Sequence, residues 1–165
     1  NSFGGGGGQS RPFSRPNEFV RGAIGLAGEL LAFEYLKDKH PRHFNEFCWV
    51  SENRTSLFSD PGSMKWGFDF KVQTTERDWL YEVKATPGDL CEFELTDGEY
   101  REAVKASPDR RSRFRILFVF FALDPSRCRI VELPNPVSDD GKLFFRIKGK
   151  SSTRMAFEIE QSSKR

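Results

Sequence analysis

Residues 67–86, GFDFKVQTTERDWLYEVKAT, decide the fold of this chain. Two runs rich in β-forming side chains, 67–73 and 79–85, flank the polar segment 74–77. Runs of this length and composition on either side of a short polar turn predict a β-hairpin. The hairpin brings the side chains of the two strands together, so its faces indicate which residues can act jointly.

Side chains along the second predicted strand alternate between the two faces of the sheet. One face carries only apolar or aromatic residues, namely Trp79, Tyr81, Val83 and Ala85. The other face carries Leu80, Glu82 and Lys84, followed by Thr86. Glu82 and Lys84 are therefore neighbours on one face, about 6–7 Å apart along the strand.

Asp69 lies in the first predicted strand, and the hairpin can place it beside Glu82. Two adjacent carboxylates repel each other, and a divalent cation relieves that repulsion. Mg²⁺ is typically held by one or two carboxylates together with water and phosphate oxygens. We therefore predict a Mg²⁺ or Mn²⁺ site at Asp69 and Glu82. Lys84 can then orient a water molecule or stabilise the charge of a transition state.

A helix is predicted from about residue 17 to residue 36, because apolar residues recur at helical spacing and Asn17 can cap its start. Glu29 lies in this helix in the apolar segment 28–32, where an unpaired carboxylate is costly. We expect Glu29 to bind the metal through water or to pair with Lys84. Three glycines spaced three apart predict close approach to a neighbouring element: Gly22, Gly25 and Gly28.

The remaining sequence predicts further strands and one more helix. The predicted strands are 47–51, 93–95, 114–123, 127–133, 143–148 and 154–159. A helix to about residue 106 is expected after Thr96, with Glu99 completing a capping box. The run 114–123 is nearly all apolar, so it should be buried on both faces. This order predicts an α/β (α+β) fold, in which helices flank one mixed central sheet.

The length and composition indicate one domain of about residues 17–160. The chain has 165 residues, enough for one core, and the Gly, Ser and Pro content of residues 1–16 predicts a flexible linker or tag remnant. Residues 161–165 are expected to be a tail. The chain begins with Asn1 rather than Met, so we expect a domain of a longer protein.

Charge identifies a partner only weakly. The net charge is +2, which makes no strong case for nucleic acid, but arginines cluster at 110, 111, 113 and 115. This cluster is either a solvated basic face or a surface that contacts phosphate, and the sequence favours neither. Lys71 is a further candidate for phosphate contact, although a strand-edge lysine also discourages edge pairing. Thr86 is another candidate, but ending the strand before Pro87 is its simpler role.

Cysteine usage and hydropathy indicate the compartment. The three cysteines, Cys48, Cys91 and Cys128, are widely spaced and form no C-x-x-C pair. This pattern argues against a disulfide framework and a zinc site, and favours the cytoplasm, or the nucleus in a eukaryote. The longest apolar run, 116–123, has the length of a strand rather than of a membrane span.

Several segments together resemble one enzyme superfamily. Residues 28–36 (GELLAFEYL), 49–51 (WVS), 67–69 (GFD) and 81–86 (YEVKAT) resemble the PD-(D/E)xK nucleases. More narrowly, the chain resembles the domain at the C-terminus of the plant NO VEIN protein and of related bacterial proteins. The segments 93–100 (FELTDGEY) and 115–136 are similar to later marks of that family. Phe68 stands where the family usually has Tyr.

The resemblance implies a restriction-endonuclease-like fold and Mg²⁺-dependent cleavage of phosphodiester bonds. It implies catalytic roles for Glu29, Asp69, Glu82 and Lys84, with the three carboxylates at the metal. Domains of this kind are often joined to ATPase or helicase modules, some of them in antiviral defence. Some members of the superfamily have lost activity, so the motif supports catalysis without proving it.

Three functions follow as hypotheses. The first is a nuclease domain that cuts DNA, or RNA, with the Arg110–Arg115 cluster holding the backbone and a homodimer cutting both strands of a duplex. The second is a nuclease-like module that binds nucleic acid without turnover. The third is a protein-interaction domain. The chain has 17 phenylalanines, and those that are exposed would form its docking surface.

Overall fold

A computed structural model describes residues 17–108, 111–149 and 153–159. The predicted linker at 1–16, the predicted tail at 161–165 and Arg110 lie outside the described residues. The described residues form three α-helices: α1 (Glu18–Lys39), α2 (Asp97–Ala106) and α3 (Asp139–Phe144). They form seven strands: β1 (Phe70–Gln73), β2 (Asp78–Ala85), β3 (Glu92–Glu94), β4 (Ser112–Phe120), β5 (Arg129–Leu133), β6 (Arg146–Ile147) and β7 (Arg154–Ala156).

The predicted α+β class is confirmed. A mixed four-stranded sheet has the order β1-β2-β4-β5, and a smaller antiparallel sheet has the order β3-β7-β6. The hairpin is also confirmed, because β1 and β2 pair antiparallel with Phe70 opposite Tyr81. Strands β2 and β4 are parallel, with Glu82 opposite Ile116, and β5 returns antiparallel to β4.

The two faces of the four-stranded sheet pack into separate cores, as the alternation in β2 predicts. Tyr81 and Val83 pack under α1 with residues such as Leu36 and Leu117. Leu80 lies on the opposite face, in a core that also contains residues of α2 and the small sheet. Strand β4 is buried on both faces from Ile116 to Phe120, in line with its apolar sequence. Helices therefore cover a sheet whose central strands carry few polar side chains.

Helix α1 lies closely against β2 at one glycine. Asn17 caps the helix by accepting a hydrogen bond from the Val20 amide at 2.9 Å. A Cβ atom added to Gly28 would lie 2.6 Å from the Cβ of Ala85, whereas one added to Gly22 or Gly25 would meet nothing within 4 Å. The predicted close approach is therefore confirmed at Gly28, and it is wrong at the other two glycines.

Gly28→Ala is expected to destabilise the domain by about 1–3 kcal/mol, because the new methyl group overlaps Ala85. Gly25→Ala is the matched control on the same helix. It should raise the free energy of unfolding by about 0.5–1 kcal/mol, since alanine favours the helix and the space is open. Urea denaturation of both variants measures the difference. Equal stability of the two variants would contradict the close packing of α1 on β2.

The predicted strand 47–51 is wrong, and the predicted strand 143–148 is confirmed only at β6, because local capping favours helical turns in their place. At 47–51 the chain forms a 3-10 helix, Glu46–Cys48, whose cap Asn45 accepts from the Phe47 amide at 2.9 Å. Only Trp49 makes an isolated bridge, to Phe70. Most of the predicted strand 143–148 is replaced by α3 and its end, because the Ser138 side chain caps the helix.

Other boundaries shift by a few residues. Strand β1 begins at Phe70 rather than at residue 67, because Gly67 adopts a left-handed conformation with φ of 71°. Strand β4 ends at Phe120, and Phe121 follows it with φ of 50°. Among the helices in the described part of the chain, none combines the length and apolar character needed to cross a membrane.

Candidate functional site

A pocket of about 340 Å³ lies where α1, the hairpin and the start of α2 meet. Five carboxyl side chains line it: Glu29, Asp69, Glu82, Glu99 and the exposed Glu52. Lys84 contacts two of these acids from the same face of β2 as Glu82. Three of the four residues predicted to be catalytic, Glu29, Asp69 and Glu82, therefore line one pocket with Glu99, and Lys84 contacts Glu82 and Glu99.

Asp69 precedes β1 and is tied to β2 by both its backbone and its side chain. Its amide donates to the carbonyl of Tyr81 at 2.9 Å. Its Oδ2 accepts from the amide of Val83 at 2.8 Å, which holds the carboxyl group next to Glu82 in the pocket. Burial raises the pKa of Asp69 well above its usual value, and the charge of Glu29 raises it further.

Glu82 and Lys84 form the neighbouring pair that the strand period predicts. The Lys84 Nζ lies 2.9 Å from Glu82 Oε1, and the Glu82 side chain is only 6% exposed. Burial raises the pKa of Glu82 well above its usual value, and the charge of Asp69 adds to this effect. Burial alone would lower the pKa of Lys84, but the charges of Glu82 and Glu99 raise it, so the ammonium stays protonated.

Glu99 has two roles, of which the sequence indicated one. Its Oε2 accepts from the Thr96 amide at 3.0 Å, and its own amide donates to the Thr96 hydroxyl, completing the predicted capping box of α2. The same oxygen accepts from Lys84 Nζ at 2.6 Å. Burial alone would raise the pKa of Glu99, but Lys84 and the cap hydrogen bonds lower it overall.

Glu29 is held by three side chains from the loop that follows α1. Its Oε2 accepts from Trp49 Nε1 at 2.6 Å and from the Ser51 hydroxyl, and its Oε1 accepts from Asn53 Nδ2 at 2.6 Å. The predicted pairing of Glu29 with Lys84 is therefore wrong. Burial raises the pKa of Glu29, although these hydrogen bonds oppose the shift.

The segment 49–51 entered the family resemblance, but the sequence did not indicate Asn53 or the hydrogen bonds that Trp49 and Ser51 donate to Glu29. Trp49 is fully buried, yet its ring nitrogen donates to Glu29 and to the Ser51 hydroxyl. The available signal is a polar residue, Ser51, two positions after Trp49. Its partner Glu29 lies 22 residues earlier in the chain, so no local pattern indicates the pairing. Arg54, buried and paired with Asp60 at 2.8 Å, holds this loop in place.

The donor set of the pocket consists of hard oxygen ligands. Within the described ranges, no group of three or more His, Cys, Asp or Glu residues is arranged to hold a metal ion. Glu29 and Glu99 each accept several hydrogen bonds from protein donors, whereas Asp69 accepts one, from the Val83 amide, and Glu82 contacts Lys84 through one oxygen, so these two carboxyl groups keep the most acceptor capacity. Two carboxylates completed by water and phosphate oxygens match the coordination that Mg²⁺ usually takes. The residues present therefore fit such an ion.

The structure does not bring the residues predicted to bind nucleic acid to this pocket. Lys71 pairs with Asp78 at 3.0 Å. The Thr86 amide extends the sheet by donating to the Val119 carbonyl at 2.9 Å, so Thr86 ends the strand as its simpler role predicts. Arg113 lies opposite Trp79, three positions before Glu82 and so about 10 Å away along the strand.

Arg111 and Arg113 stand at the start of β4, away from the acidic end of β2. Arg113 lines a second cavity with Arg115 and Asn135, between the end of α2 and the start of α3. Arg111 precedes the strand, and its carbonyl accepts from the Asp78 amide at 2.7 Å. Two arginines of the predicted cluster thus form part of a separate surface.

No family model, curated protein or solved structure matches this chain. The fold and the pocket define an α+β domain in which carboxyl groups from several elements line one pocket and the buried ammonium group of Lys84 contacts two of them. The resemblance to PD-(D/E)xK nucleases stays a prediction that rests on the sequence motifs.

Proposed function

We propose that this chain is a metal-dependent nuclease domain of the PD-(D/E)xK type, with a restriction-endonuclease-like fold, that hydrolyses phosphodiester bonds of DNA. One observation carries the proposal: Asp69 and Glu82 line one pocket with Glu29 and Glu99, and Lys84 contacts both Glu82 and Glu99. Five carboxyl groups line the pocket, Glu52 included, and one ammonium group contacts two of them, which leaves a negative excess. Burial raises the pKa of Glu29, Asp69 and Glu82, because their charged forms lose contact with water.

Asp69 and Glu82 would hold a Mg²⁺ or Mn²⁺ ion, and Glu29 would contact it through water. When bound, such an ion polarises the phosphoryl group and lowers the pKa of a coordinated water molecule. Glu29 is fixed by Trp49, Ser51 and Asn53, so its carboxylate has little freedom to move toward an ion. This restraint favours a contact through water over direct ligation.

Lys84 would stabilise the negative charge that develops on the phosphoryl oxygens during cleavage. Its ammonium group is only 17% exposed, so its field is poorly screened by solvent. Glu99 holds that ammonium at 2.6 Å and is itself fixed at the start of α2 by the capping box. Glu99 is therefore a positioning residue for Lys84, and it needs no contact with substrate.

We further propose that the domain acts in a longer protein of the cytoplasm or nucleus, joined to other domains such as an ATPase or helicase module with a role in defence. RNA is the alternative substrate. A homodimer is the simplest way to cut both strands of a duplex, because each pocket cuts one strand.

Mg²⁺ is expected to stabilise the protein, and more so as the pH rises. Asp69 and Glu82 have folded-state pKa values above the usual 3.8 and 4.5, so their contribution to stability is present below those values and is lost as pH rises. A cation favours the charged forms and removes this loss. At a hundredfold excess over its Kd, Mg²⁺ should add about 2.7 kcal/mol.

Thermal unfolding in EDTA and in MgCl₂, from about pH 5 to about pH 8, measures this effect. Calorimetry should also show proton release on Mg²⁺ binding, because the carboxyl groups lose their protons. The double variant Asp69→Asn/Glu82→Gln is the control and should show no Mg²⁺ effect. A wild-type Tm that is indifferent to Mg²⁺ and Mn²⁺ at every pH would contradict a metal site.

One observation favours a second candidate, a nuclease-like module that binds nucleic acid without turnover. Glu29 is occupied by three donors, and the described residues contain no preformed group of three metal-ligating side chains. Such a module would bind DNA equally well with and without Mg²⁺, and Lys84→Ala would not alter the affinity. A nuclease would lose cleavage with Lys84→Ala and respond to Mg²⁺, so calorimetry and a cleavage assay separate the two.

A further inference from the structure

An exposed tryptophan, Trp66, lies next to two residues that line the acidic pocket, Gly67 and Phe68. Trp49 is fully buried and Trp79 is half-buried, whereas Trp66 is 54% exposed. Trp66 is the last residue of a 3-10 helix, Met64–Trp66, and the next residue, Gly67, lines the pocket. Exposure of so large an aromatic surface beside a pocket marks a position where a ligand can stack.

The backbone around Trp66 is fixed, so the ring has a defined place. Gly67 adopts a left-handed conformation with φ of 71°, and a Cβ atom there would lie 2.6 Å from the carbonyl oxygen of Gly98. The turn is thus packed against the first turn of α2. The Trp66 ring also lies 6.1 Å from the ring of Phe68, which belongs to the core. An aromatic side chain on a rigid support loses little entropy when a base stacks on it.

The lip of the pocket is formed largely by bare backbone. Four glycines line it: Gly22, Gly25, Gly67 and Gly98. Side chains are absent from these positions, and there is open space above Gly22 and Gly25. A polymer backbone can therefore come close to the carboxyl groups along this side.

Three exposed cations stand next to residues of the lip. Arg21 precedes Gly22, Lys65 precedes Trp66, and Arg101 lies one helical turn after Gly98. Among the residues that the structure describes, none forms an ion pair with Arg21, Lys65 or Arg101. The exposed acids Glu52 and Asp97 lie on the same side, so the rim is mixed in charge and steers phosphates without a continuous basic track.

We infer that the pocket takes single-stranded nucleic acid, with an unpaired base stacked on Trp66 and the flanking phosphates beside Lys65, Arg21 and Arg101. This inference rests on the proposed nuclease function and assigns its substrate class. Stacking on a ring face requires a base that is free of its partner strand, and it tolerates any base. Three separate cations suit a flexible single strand better than the regular phosphate rows of a duplex. In this arrangement, the arginines at the start of β4 do not hold the nucleic acid that enters this pocket.

The test compares the binding of a fluorescent single-stranded oligothymidylate in EDTA at low salt, by anisotropy, to four forms of the protein. Trp66→Ala should weaken binding about 10-fold, because one stacked base is lost. Trp66→Phe keeps a ring face and should stay within about 2-fold of wild type. Leu143→Ala, at an exposed apolar side chain of α3, is the matched control and should bind like wild type. A duplex of the same length should bind less tightly and should not respond to Trp66→Ala.

Wild-type affinity of Trp66→Ala for the single strand would overturn the inference. Tighter binding of the duplex than of the single strand would also overturn it. Cleavage with Mg²⁺, measured on the same samples, separates this failure from failure of the proposed function. If Trp66→Ala cleaves and binds single strands like wild type, the nuclease stands and the stacking site falls. If the wild-type protein neither binds nor cleaves any oligonucleotide, both proposals fall.

Discussion

Asp69→Asn is expected to reduce Mg²⁺-dependent DNA cleavage by at least about 1,000-fold, because under the proposed function the substitution removes a charged metal ligand. The asparagine oxygen can still accept the hydrogen bond from the Val83 amide, which Asp69 accepts at 2.8 Å. The fold should therefore persist, and the loss should appear in the rate. Initial rates of plasmid nicking, together with circular dichroism of the variant, measure both quantities.

Asp78→Asn is the matched control for this experiment. Asp78 lies on the same strand as Glu82 and pairs with Lys71 at 3.0 Å, but it does not line the acidic pocket. This variant should cleave at a rate near that of the wild type. An Asp69→Asn protein that nicks plasmid as fast as the wild type would exclude Asp69 from the chemistry.

Lys84→Met is expected to cost about 3–5 kcal/mol of unfolding free energy at neutral pH, in addition to the loss of cleavage. The substitution leaves Glu82 and Glu99, which Lys84 contacts at 2.9 and 2.6 Å, without their shared cation. Without the ammonium, the pKa of both acids rises, so protonation relieves the repulsion. The stability deficit should therefore shrink as the pH falls toward about 5. Urea denaturation across this range measures it.

Two further variants separate the structural role of Lys84 from its catalytic role. Lys71→Met removes a pair whose side chains are 36% and 31% exposed, and it should cost less than about 1 kcal/mol. Lys84→Arg keeps the charge and should recover much of the stability, but a guanidinium group differs in shape and should not restore the rate. A Lys84→Met protein with wild-type stability at neutral pH would contradict the buried ion pairs.

Much of the pocket was predictable because its central residues are close in sequence or related by a strand period. Glu82 and Lys84 are two positions apart on one strand, so alternation alone places them together. Asp69 follows from the hairpin, whose turn brings residues 67–69 back to the end of β2. The capping box of α2 is equally local, since it joins Thr96 to Glu99 three residues later.

Other parts of the site depend on contacts between distant elements. Glu29 meets Trp49, Ser51 and Asn53 only because α1 packs on β2, with Gly28 allowing the close approach. The second role of Glu99 depends on α2 lying beside the end of β2, which no local pattern of charges indicates. The sequence indicated each of these acids, but it did not indicate the side chains that form hydrogen bonds with them.

The arginine cluster is the clearest example of a position that the sequence could not predict. Its density of charge leaves a solvated face and a phosphate-binding surface equally open, and the parallel register of β2 and β4 places Arg113 opposite Trp79 and away from Glu82. That register is a property of the whole sheet, and it sets a distance that sequence spacing does not contain. Trp66, which the sequence did not single out, directly precedes Gly67, which lines the acidic pocket.

The sequence by itself determined the α+β class, the hairpin, the face shared by Glu82 and Lys84, and the caps of α1 and α2. These features depend on side-chain alternation and on hydrogen bonds that span a few residues, so the local chain carries them. Only the tertiary structure decided which donors bind Glu29, that Lys84 joins Glu82 to Glu99, and which cations border the pocket. Those contacts join elements far apart in the chain, and they arise from the packing of helices on both faces of the sheet.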